Sequence, residues 1–535
     1  MAFMTRAAIR AAASGAGLSA MTDAITLPAG LKRRSRPRRV LRRSLVVSVL
    51  AAASLWPAGA SAAERDEFFW LGEINKATAV INTDEGLLDK QLTPGIAAAI
   101  AKVIADGDKE GARRPSSVIT FEPLLIEAGG KDVTLLHAGR SSQDMHATYR
   151  AAILRDEMLD LAAQLNVTAR TLVELAATHA DTVVPNYTNG VAAQPNSFGH
   201  YLLGHAAGFA RDAERIRQAY ARIDRSAMGT TVLNGTGWPL NRQRMADYLG
   251  FAQLVDNAYD ASQISSMDEP VEVGAVVTAI ALHTGNFVED IMTQYAGSRP
   301  WILLEEGGGN TYVSSAMPQK RNPGLLNSTR SDASTAITLA LGPIIQTHNI
   351  TPGMPDPKDV DQNTAMIDAG VKTLKDLDKV LKALVINRDR AQEELNSDWT
   401  ASQELADILM RKYGLPFREG HHFASEVVSY AKQNTIKPLD FPYAEAQRIY
   451  AEVVAGSKYP QALPMAEAEF RAALDPVAIV QARSTSGGPQ PAEMERMIAK
   501  ARAGLAEQDA WIKERRGVID SALARLDADF AKLMP

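Results

Sequence analysis

Apolar residues recur at spacings of three and four along most of the chain from Phe68 onward, whereas runs that alternate apolar and polar residues are scarce. The stretch YRAAILRDEMLDLAAQL (149–165) shows this period, with charged residues on the opposite helical face. Its apolar face carries Ile153, Leu154, Met158, Leu161 and Leu165. The pattern predicts a mainly α fold.

Two predicted helices are long and rich in alanine: SFGHYLLGHAAGFARDAERIRQAYARI (197–223) and PVEVGAVVTAIALHTGNFVEDIMTQYA (270–296). Helices of this length cannot bury a whole apolar stripe in a small monomer, so they favour a helix bundle. A bundle assembled from several subunits is one such arrangement. Segments rich in Gly, Pro or Asn predict breaks near 127–131, 185–196, 226–241, 297–313 and 350–364.

The first 62 residues differ in composition from the rest of the chain. A basic segment, LKRRSRPRRVLRR (31–43), precedes thirteen mostly apolar residues (44–56) and then PAGASAA, which ends near Ala62. The apolar run is shorter than the roughly 20 residues that span a bilayer, so it favours a signal peptide cleaved after Ala62 over a membrane anchor. Arg42 and Arg43 directly precede this run, which leaves the twin-arginine and general export routes both open. We therefore expect an exported, periplasmic protein.

The charge balance narrows the classes of partner. Residues 1–62 hold ten of the 57 Lys and Arg and one of the 62 Asp and Glu, so their removal leaves 47 bases, 61 acids and a net charge near −14. Such a surface does not attract nucleic acid or an anionic membrane. The chain has no cysteine, which excludes disulfides and thiolate chemistry. Its histidines lack partners at ligand spacing, so we predict no metal site.

A glycine run, EEGGGN (305–310), stands just before SSAMPQKRNP (314–323), which leads into a predicted helix. Asn322 followed by Pro323 has the form of a helix start, with a side-chain acceptor at the cap and proline at the first helical position. Helix N-terminal amides carry partial positive charge, and Lys320 adds a full one. The segment is therefore predicted to bind a carboxylate.

SSAMPQKRNP closely resembles the signature loop of the fumarase/aspartase superfamily, a Ser-Ser-x-Met-Pro-x-Lys-x-Asn run that supplies a base beside a carboxylate. LLHAGRSSQDMHATYRAAILRD (135–156) resembles the argininosuccinate lyase stretch that contains His-Thr-Gly-Arg-Ser. VPNYTNGVAAQPNSFGH, which begins 184–216, is similar to that family's Tyr-Thr-His, Gln-Pro and Phe-Gly-His block. The segment 228–251 has the spacing of the next block, which ends in Pro-x-x-Arg. The resemblance runs in order from 65 to about 400.

The resemblance implies an elimination. Ser314 matches the base, whose alkoxide takes the Cβ proton of a substituted succinate before the Cα bond to nitrogen or oxygen breaks and fumarate leaves. Lys320 and Asn322 match the residues that hold the carboxylate on which negative charge accumulates. A free hydroxyl is a weak base, so its alkoxide needs loop amides and a nearby cation. No cofactor is implied, and the expected partner is a small-molecule dicarboxylate substrate.

The other segments imply further substrate-binding residues. Thr188 matches a carboxylate-binding threonine, Gln194 a supporting glutamine and Arg242 the arginine of Pro-x-x-Arg. Substrate-binding polar positions of the first segment fall on Ser141, Ser142 and Gln143. Argininosuccinate lyases have Arg-Asn at the last two of these, and RSSQD is closer to the runs of adenylosuccinate lyases and carboxymuconate cycloisomerases.

Two asparagines depart from the family pattern. Asn189, counted among the substrate-binding residues, replaces the histidine of Tyr-Thr-His, and Asn327 replaces the glutamate that is commonly paired with it. Losing both members of a charged pair avoids an uncompensated buried charge, so the double change favours a folded site. The site is either retuned for catalysis or retained for binding.

We therefore predict a mainly α, three-domain fumarase/aspartase-type fold with a central long-helix bundle. The expected divisions are a targeting segment (1–62), an N-terminal helical domain (63–139), the central bundle with catalytic loop 305–323 (140–388) and a C-terminal helical domain (389–535). The resemblance implies a homotetramer whose active sites combine segments from different subunits.

The predicted activity is that of an argininosuccinate lyase-like carbon–nitrogen lyase, which eliminates fumarate from argininosuccinate or a related N-substituted aspartate. A carboxymuconate cycloisomerase-like or adenylosuccinate lyase-like activity on the same scaffold stays open, as does a non-catalytic binding protein. PDPKDVDQNT (355–364) matches poorly the run that contacts the amino-acid end of argininosuccinate, so the reaction class is better indicated than the substrate.

Overall fold

The computed structural model describes residues 65–535, most of which are helical. The predicted helices are confirmed: 149–165 lies inside α4, 197–223 coincides with α5 and its N-cap, and 270–296 falls on α7. The predicted signal peptide lies outside the described residues.

The α-helices are α1 Glu67–Asp84, α2 Thr93–Gly107, α3 Val118–Gly129, α4 Ser142–Thr178, α5 Phe198–Ile223, α6 Arg242–Tyr248, α7 Ser265–Tyr295, α8 Gly324–Thr347, α9 Val360–Ala383, α10 Arg388–Leu395, α11 Gln403–Tyr413, α12 Phe417–Asn434, α13 Tyr443–Val453, α14 Glu467–Leu474, α15 Pro476–Ala482 and α16 Pro491–Ala531.

Short two-stranded ribbons connect the helices. β1 pairs with β2, β5 with β8 and β6 with β7 in antiparallel fashion, while β3 and β4 are parallel. The strands are β1 Val183–Thr188, β2 Val191–Ser197, β3 Arg225–Ser226, β4 Gln253–Leu254, β5 Ile302–Leu304, β6 Tyr312–Val313, β7 Arg321–Asn322 and β8 Leu384–Ile386.

The long helices α4, α5, α7, α8 and α9 pack along one another and form the bundle predicted from the sequence. The Thr168 hydroxyl of α4 donates to the Leu374 carbonyl of α9 at 3.0 Å, and Thr171 donates to Asp378 at 2.6 Å. The residue numbers of α4 and of α9 both increase from the first of these contacts to the second, so the two helices run in the same direction. The 37 residues of α4 span about 55 Å at 1.5 Å per residue. This length separates the two ends of the bundle.

Helix α7 is apolar enough to pass a length-and-composition test for a membrane span, over Asp260–Tyr295. Half of its most apolar window is buried inside the chain, however, and α7 packs against α5, α8 and α9. These contacts are those of a core helix in a bundle.

The described residues form one compact unit with two main hydrophobic cores. The smaller core lies between Trp399 and Leu474 and is built by α11 to α14. Helix α16 does not join it, because Met494, Ile512 and Leu526 pack into the main core with α1, α4 and α5. The division into three domains stays a prediction.

Candidate active site

The segment 314–320 forms the loop of a small hairpin between β6 and β7. The Ser314 amide donates to the Lys320 carbonyl at 3.3 Å, which closes the loop. Inside it, the Ser314 Oγ accepts hydrogen bonds from the amides of Met317 at 3.2 Å and Ala316 at 3.4 Å. Backbone N–H groups therefore converge on the oxygen that the sequence assigns as the base. Such donors favour the charged form of a hydroxyl over its neutral form.

The prediction that Asn322 caps the helix after the loop is wrong. Asn322 lies in β7, its Nδ2 donates to the Tyr312 carbonyl at 3.4 Å, and Pro323 occupies the N-cap position of α8 without a side-chain cap. Pairing of β6 with β7 outweighs the local capping preference, because α8 begins one residue further on and the Asn322 side chain is directed across the ribbon to Tyr312. The asparagine thus stabilises the hairpin that carries Ser314.

Lys320 is exposed at the end of this loop, directly before β7, and its ammonium makes no hydrogen bond or ion pair with the rest of the described chain. The neighbouring Arg321 is engaged instead: its Nε lies 2.9 Å from Oε2 of Glu306 in the glycine-rich segment. The loop consequently presents one uncommitted cation beside Ser314, as a carboxylate-binding loop requires.

Thr188, Asn189 and Gln194 lie on a β-hairpin, where the sequence pattern predicted only a break near 185–196. β1 and β2 pair from Val183 with Ser197 to Thr188 with Val191. Thr188 is exposed at the hairpin end, and the Gln194 Nε2 donates to Oε1 of Gln403 on α11 at 2.7 Å. Asn-Gly between two strands is a strong hairpin signal, and it was available in the sequence at 189–190.

Asn189 has a conformational reason to be asparagine. Its φ is 54°, and Gly190 follows with a φ of 75°, a pair typical of a tight hairpin turn. Asparagine tolerates the left-handed region better than most residues. Asn327, in the first turn of α8, makes no side-chain hydrogen bond to Asn189 within the described residues.

Ser141, Ser142 and Gln143 stand at the N-terminus of α4. The Ser141 hydroxyl accepts from the Gln143 amide at 3.2 Å and the Asp144 carboxylate accepts from the Ser141 amide at 2.8 Å, which together complete a capping box. The three side chains are partly exposed, so they remain available to a ligand.

Asp144 was not among the site residues predicted from the sequence. This buried carboxylate also accepts from the amides of Gly229 at 2.9 Å and Thr231 at 3.0 Å, so it fastens the loop 226–241 to the start of α4. Burial raises its pKa to about 6, although the backbone donors oppose the shift. The Ser-x-x-Asp spacing is a capping-box pattern that could have identified it.

Arg242 is the first residue of α6, directly after this loop. Its Nε donates to the Met228 carbonyl at 3.0 Å and its Nη2 donates to the Val255 carbonyl at 2.8 Å. In the single chain this guanidinium therefore holds backbone in place, and burial lowers its pKa from the ordinary value.

The predicted residues form two groups at opposite ends of the bundle. The Ser314 loop and the Thr188 hairpin share one end: Trp301, beside β5, donates its indole N–H to the Tyr187 hydroxyl at 3.3 Å, and the Glu305 amide donates to the Ala383 carbonyl at 2.8 Å. Ser141 and its neighbours stand at the other end of α4, with Arg242. About 55 Å of helix separates the two groups.

Residues 65–535 contain no group of three or more His, Cys, Asp or Glu side chains arranged to hold a metal ion. The polar groups at the two ends are hydroxyls, amides and single charges. These groups bind carboxylates and stabilise developing negative charge through hydrogen bonds.

Comparison with known proteins gives consistent results. A family model described as Lyase matches residues 70–337, and one described as Argininosuccinate lyase C-terminal matches residues 399–481. An argininosuccinate lyase of Methanosarcina acetivorans is 29% identical over 477 residues, which cover 87% of this chain and 94% of the relative. One of Methanoculleus marisnigri is 30% identical over 452 residues, which cover 83% and 88%.

Solved structures share the fold. The crystal structure of EDDS lyase in complex with formate has a TM-score of 0.78 and 25% identity, and covers 89% of this chain and 97% of that chain. The 3-carboxy-cis,cis-muconate lactonizing enzyme of Pseudomonas putida has a TM-score of 0.58 and 18% identity, with 84% and 96% covered. The second likeness concerns the fold alone.

Proposed function

The chain belongs to the argininosuccinate lyase family of the fumarase/aspartase superfamily and is a lyase, and from this membership we propose that it eliminates fumarate from an N-substituted aspartate. Ser314 removes the Cβ proton, Lys320 binds the carboxylate on which charge accumulates, and the bond between Cα and nitrogen then breaks. Argininosuccinate or a related compound is the substrate, and no cofactor takes part.

The observation that carries this proposal is the pair of amides directed at the Ser314 oxygen. A serine hydroxyl must lose its proton to act as a base, and the resulting alkoxide is favoured by hydrogen-bond donors placed beforehand. The exposed Lys320 ammonium adds positive charge in the same loop. The glycines at 307–309, all with positive φ, allow the segment before the loop to bend over a substrate.

We propose that the working unit is a homotetramer. Ser141 and Thr188 stand at opposite ends of α4, so one small substrate cannot touch both within a single chain. A site that uses both must take them from different copies. Apolar side chains exposed on the outer faces of α7 and α8 support such packing; they include Leu282, Leu341, Ile344 and Ile345, which are 38% to 69% exposed.

Asn189 and Asn327 leave open how the leaving nitrogen is protonated. The non-catalytic alternative rests on this pair, and an adenylosuccinate lyase-like or cycloisomerase-like activity rests on RSSQD at 140–144. We favour elimination because the Ser314 loop keeps the groups that proton removal needs.

We also propose export to the periplasm, on the basis of the basic and apolar segments before Ala62. The acidic balance after Ala62 supports a mature protein that binds neither nucleic acid nor a membrane surface. N-terminal sequencing of protein from the periplasmic fraction tests this proposal: a start at Ala63 supports it, and an intact leader in the cytoplasm contradicts it.

The activity is tested by incubating the purified mature protein with argininosuccinate, adenylosuccinate, carboxymuconate and a panel of N-alkyl aspartates, and following the absorbance of fumarate or of the lactone product. Ser314→Ala is the test variant and Ser315→Ala, on the next residue, is the matched control. We expect fumarate from an N-substituted aspartate with the wild type and the control, and a loss of about 10²–10⁴-fold in kcat with Ser314→Ala.

Each other outcome points to one alternative. Fumarate formed equally by Ser314→Ala removes this serine from the mechanism. Turnover of adenylosuccinate or carboxymuconate alone selects a different substrate on the same scaffold. Binding across the panel without turnover supports the hypothesis that the protein binds such compounds without catalysis.

A further inference from the structure

A cleft of about 750 Å³ lies between α4, α5 and α16. None of its lining residues belongs to the Ser314 loop, the Thr188 hairpin or the Ser141 segment. The cleft follows α5 from His200 to Arg217, which is about 25 Å at 1.5 Å per residue. Pockets for small molecules have volumes of about 300–1,000 Å³, so the cleft has the size of a site for one elongated ligand.

Small side chains on α5 and α16 keep the cleft open. Gly204 and Ala207 of α5 line it, together with Ala503 and Gly504 of α16. A Cβ atom built on either glycine meets no atom within 4 Å. The apolar floor includes Phe209, which is 1% exposed. These helices therefore build an apolar cleft where larger side chains would build a close-packed core.

The end of the cleft near Arg217 has hydrogen-bond donors without acceptors. The Arg217 Nε donates to Oε1 of Gln508, on α16, at 2.6 Å, and this contact fixes the orientation of the Gln508 amide. Gln508 is 3% exposed, and its Nε2 has no acceptor in the described chain. The Nη groups of Arg217 likewise donate no hydrogen bond within residues 65–535. A buried donor without an acceptor costs free energy, and a ligand oxygen would remove that cost.

The charges that line the cleft favour an anion. Arg217 is partly buried, and neither it nor the exposed Arg211 and Lys500 forms an ion pair within the described residues. Glu214 and Glu507 also line the cleft, and both are exposed. Solvent screens exposed charges of either sign more than it screens a partly buried one. The least screened charge is therefore the guanidinium, which lies beside the unpaired amide.

We propose that this cleft binds an amphipathic monocarboxylate, a molecule with one carboxylate and an elongated apolar body. The carboxylate lies against Arg217, whose planar fork donates two parallel hydrogen bonds to such a group, and the Gln508 Nε2 gains an acceptor. The apolar body extends along α5 over Phe209 toward Gly204. The site is separate from the proposed active site and does not depend on the reaction proposed there.

Calorimetry with decanoate and decan-1-ol tests the proposal, because the two probes share an apolar chain and differ in charge. Each is titrated into the purified mature protein at pH 7. We expect decanoate to bind once per chain and about tenfold more tightly than the alcohol, or better, since only the carboxylate pairs with the guanidinium. Absence of decanoate binding, or equal affinity for the two probes, overturns the proposal.

A filled cleft shows where decanoate binds. Gly504→Leu places a side chain in the cleft, and Gly517→Leu is the matched control on the same helix. A Cβ atom at Gly517 also meets no atom within 4 Å, but this residue does not line the cleft. We expect Gly504→Leu to weaken decanoate binding by about tenfold or more and Gly517→Leu to leave it unchanged. Equal affinities in the two variants overturn the proposal.

Arg217→Gln removes the guanidinium and is expected to abolish the preference for decanoate over decan-1-ol. Its control is Arg215→Gln, because Arg215 pairs with Asp212 at 2.7 Å and does not line the cleft. A preference that survives Arg217→Gln overturns the proposal. Sedimentation velocity completes the test: an oligomer that dissociates with Gly504→Leu but not with Gly517→Leu shows that a second copy covers the cleft, which also overturns it.

Discussion

The amide of Met317 donates to the hydroxyl of Ser314, with 3.2 Å between nitrogen and oxygen. The contact is made inside a seven-residue loop that the Ser314 amide and the Lys320 carbonyl close. Because the donor belongs to the backbone, it is in place before substrate arrives and needs no reorganisation when charge develops on the oxygen. The loop thus directs backbone donors at the Ser314 oxygen, which supports its proposed role as the base.

Lys320 is expected to matter through its charge. Replacing it by methionine, Lys320→Met, removes the one uncommitted cation of the loop and should lower kcat/KM by about 10²–10³-fold, since a transition-state carboxylate loses its counter-charge. Steady-state kinetics of fumarate release measures the effect. Arg321→Gln, which removes the adjacent but paired charge, should change kcat/KM by about threefold or less. Similar losses in both variants would show a general electrostatic effect of the loop.

Mixed oligomers should recover activity. Ser142→Trp blocks the segment at the start of α4, and Ser314→Ala removes the base near its other end. Each homo-oligomer is expected to be inactive, whereas a mixture unfolded and refolded together should form some sites with both segments intact, because those segments come from different copies. Fumarate production by the refolded mixture is the measurement, and separately refolded variants mixed afterwards are the control. No recovery would argue that one copy supplies the whole site.

The buried pair Arg155–Asp224 should be important for stability. Arg155 is fully buried, and its Nη1 lies 3.0 Å from the Asp224 carboxylate and 2.8 Å from the Gly250 carbonyl. Asp224→Asn leaves a buried guanidinium without its counter-charge and should lower the free energy of unfolding by about 3–5 kcal/mol. Denaturant unfolding measures it. Glu272→Gln breaks the exposed pair with Arg222 and should cost about 1 kcal/mol or less.

The pH dependence of stability should report on Glu269. Its pKa in the folded protein, about 8, lies above the ordinary value of 4.5, so the folded state binds more protons than the unfolded state between these values and stability falls as pH rises through that window. Lys358 acts in the opposite sense at higher pH: its pKa is lowered from 10.5 to about 8, so stability rises as pH increases between these values.

Glu269→Gln removes the first effect. The midpoint of thermal unfolding of this variant, relative to the wild type, should therefore increase between pH 5 and pH 8. Glu272→Gln, with its carboxylate on the surface, should show no such trend. A constant difference between Glu269→Gln and the wild type across this range would mean that Glu269 is already ionised in the folded protein.

The residues of the Ser314 loop could be read from the sequence, but the conformation of the loop could not. SSAMPQKRNP contains the Ser314 hydroxyl and Lys320, and helix α8 follows it directly, as the sequence predicted. Asn322 was expected to cap that helix and instead pairs in β7 with Tyr312. A cap is a preference within one turn, and a strand pair that forms across nine intervening residues can outweigh it.

The segment 185–196 illustrates a similar limit. Its prolines and asparagines predicted a break, which it is, but the chain pairs its two halves as β1 and β2 around Asn189 and Gly190. Asn189 replaces a family histidine, and it also occupies a turn position with positive φ that favours asparagine. The sequence showed the replacement, but only the pairing of β1 with β2 revealed the turn.

Local sequence determined the helices, since a period of 3.6 is a property of neighbouring residues, and it determined which residue types stand on each segment. It also placed Ser314 and Lys320 on one loop. Tertiary structure decided burial and long-range partners: it buried Glu269 and Lys358 without an ion pair between them, and it joined Arg155 of α4 to Asp224 and Gly250. Burial and the choice of partner depend on residues far apart in the chain, and no pattern within a single segment contains them.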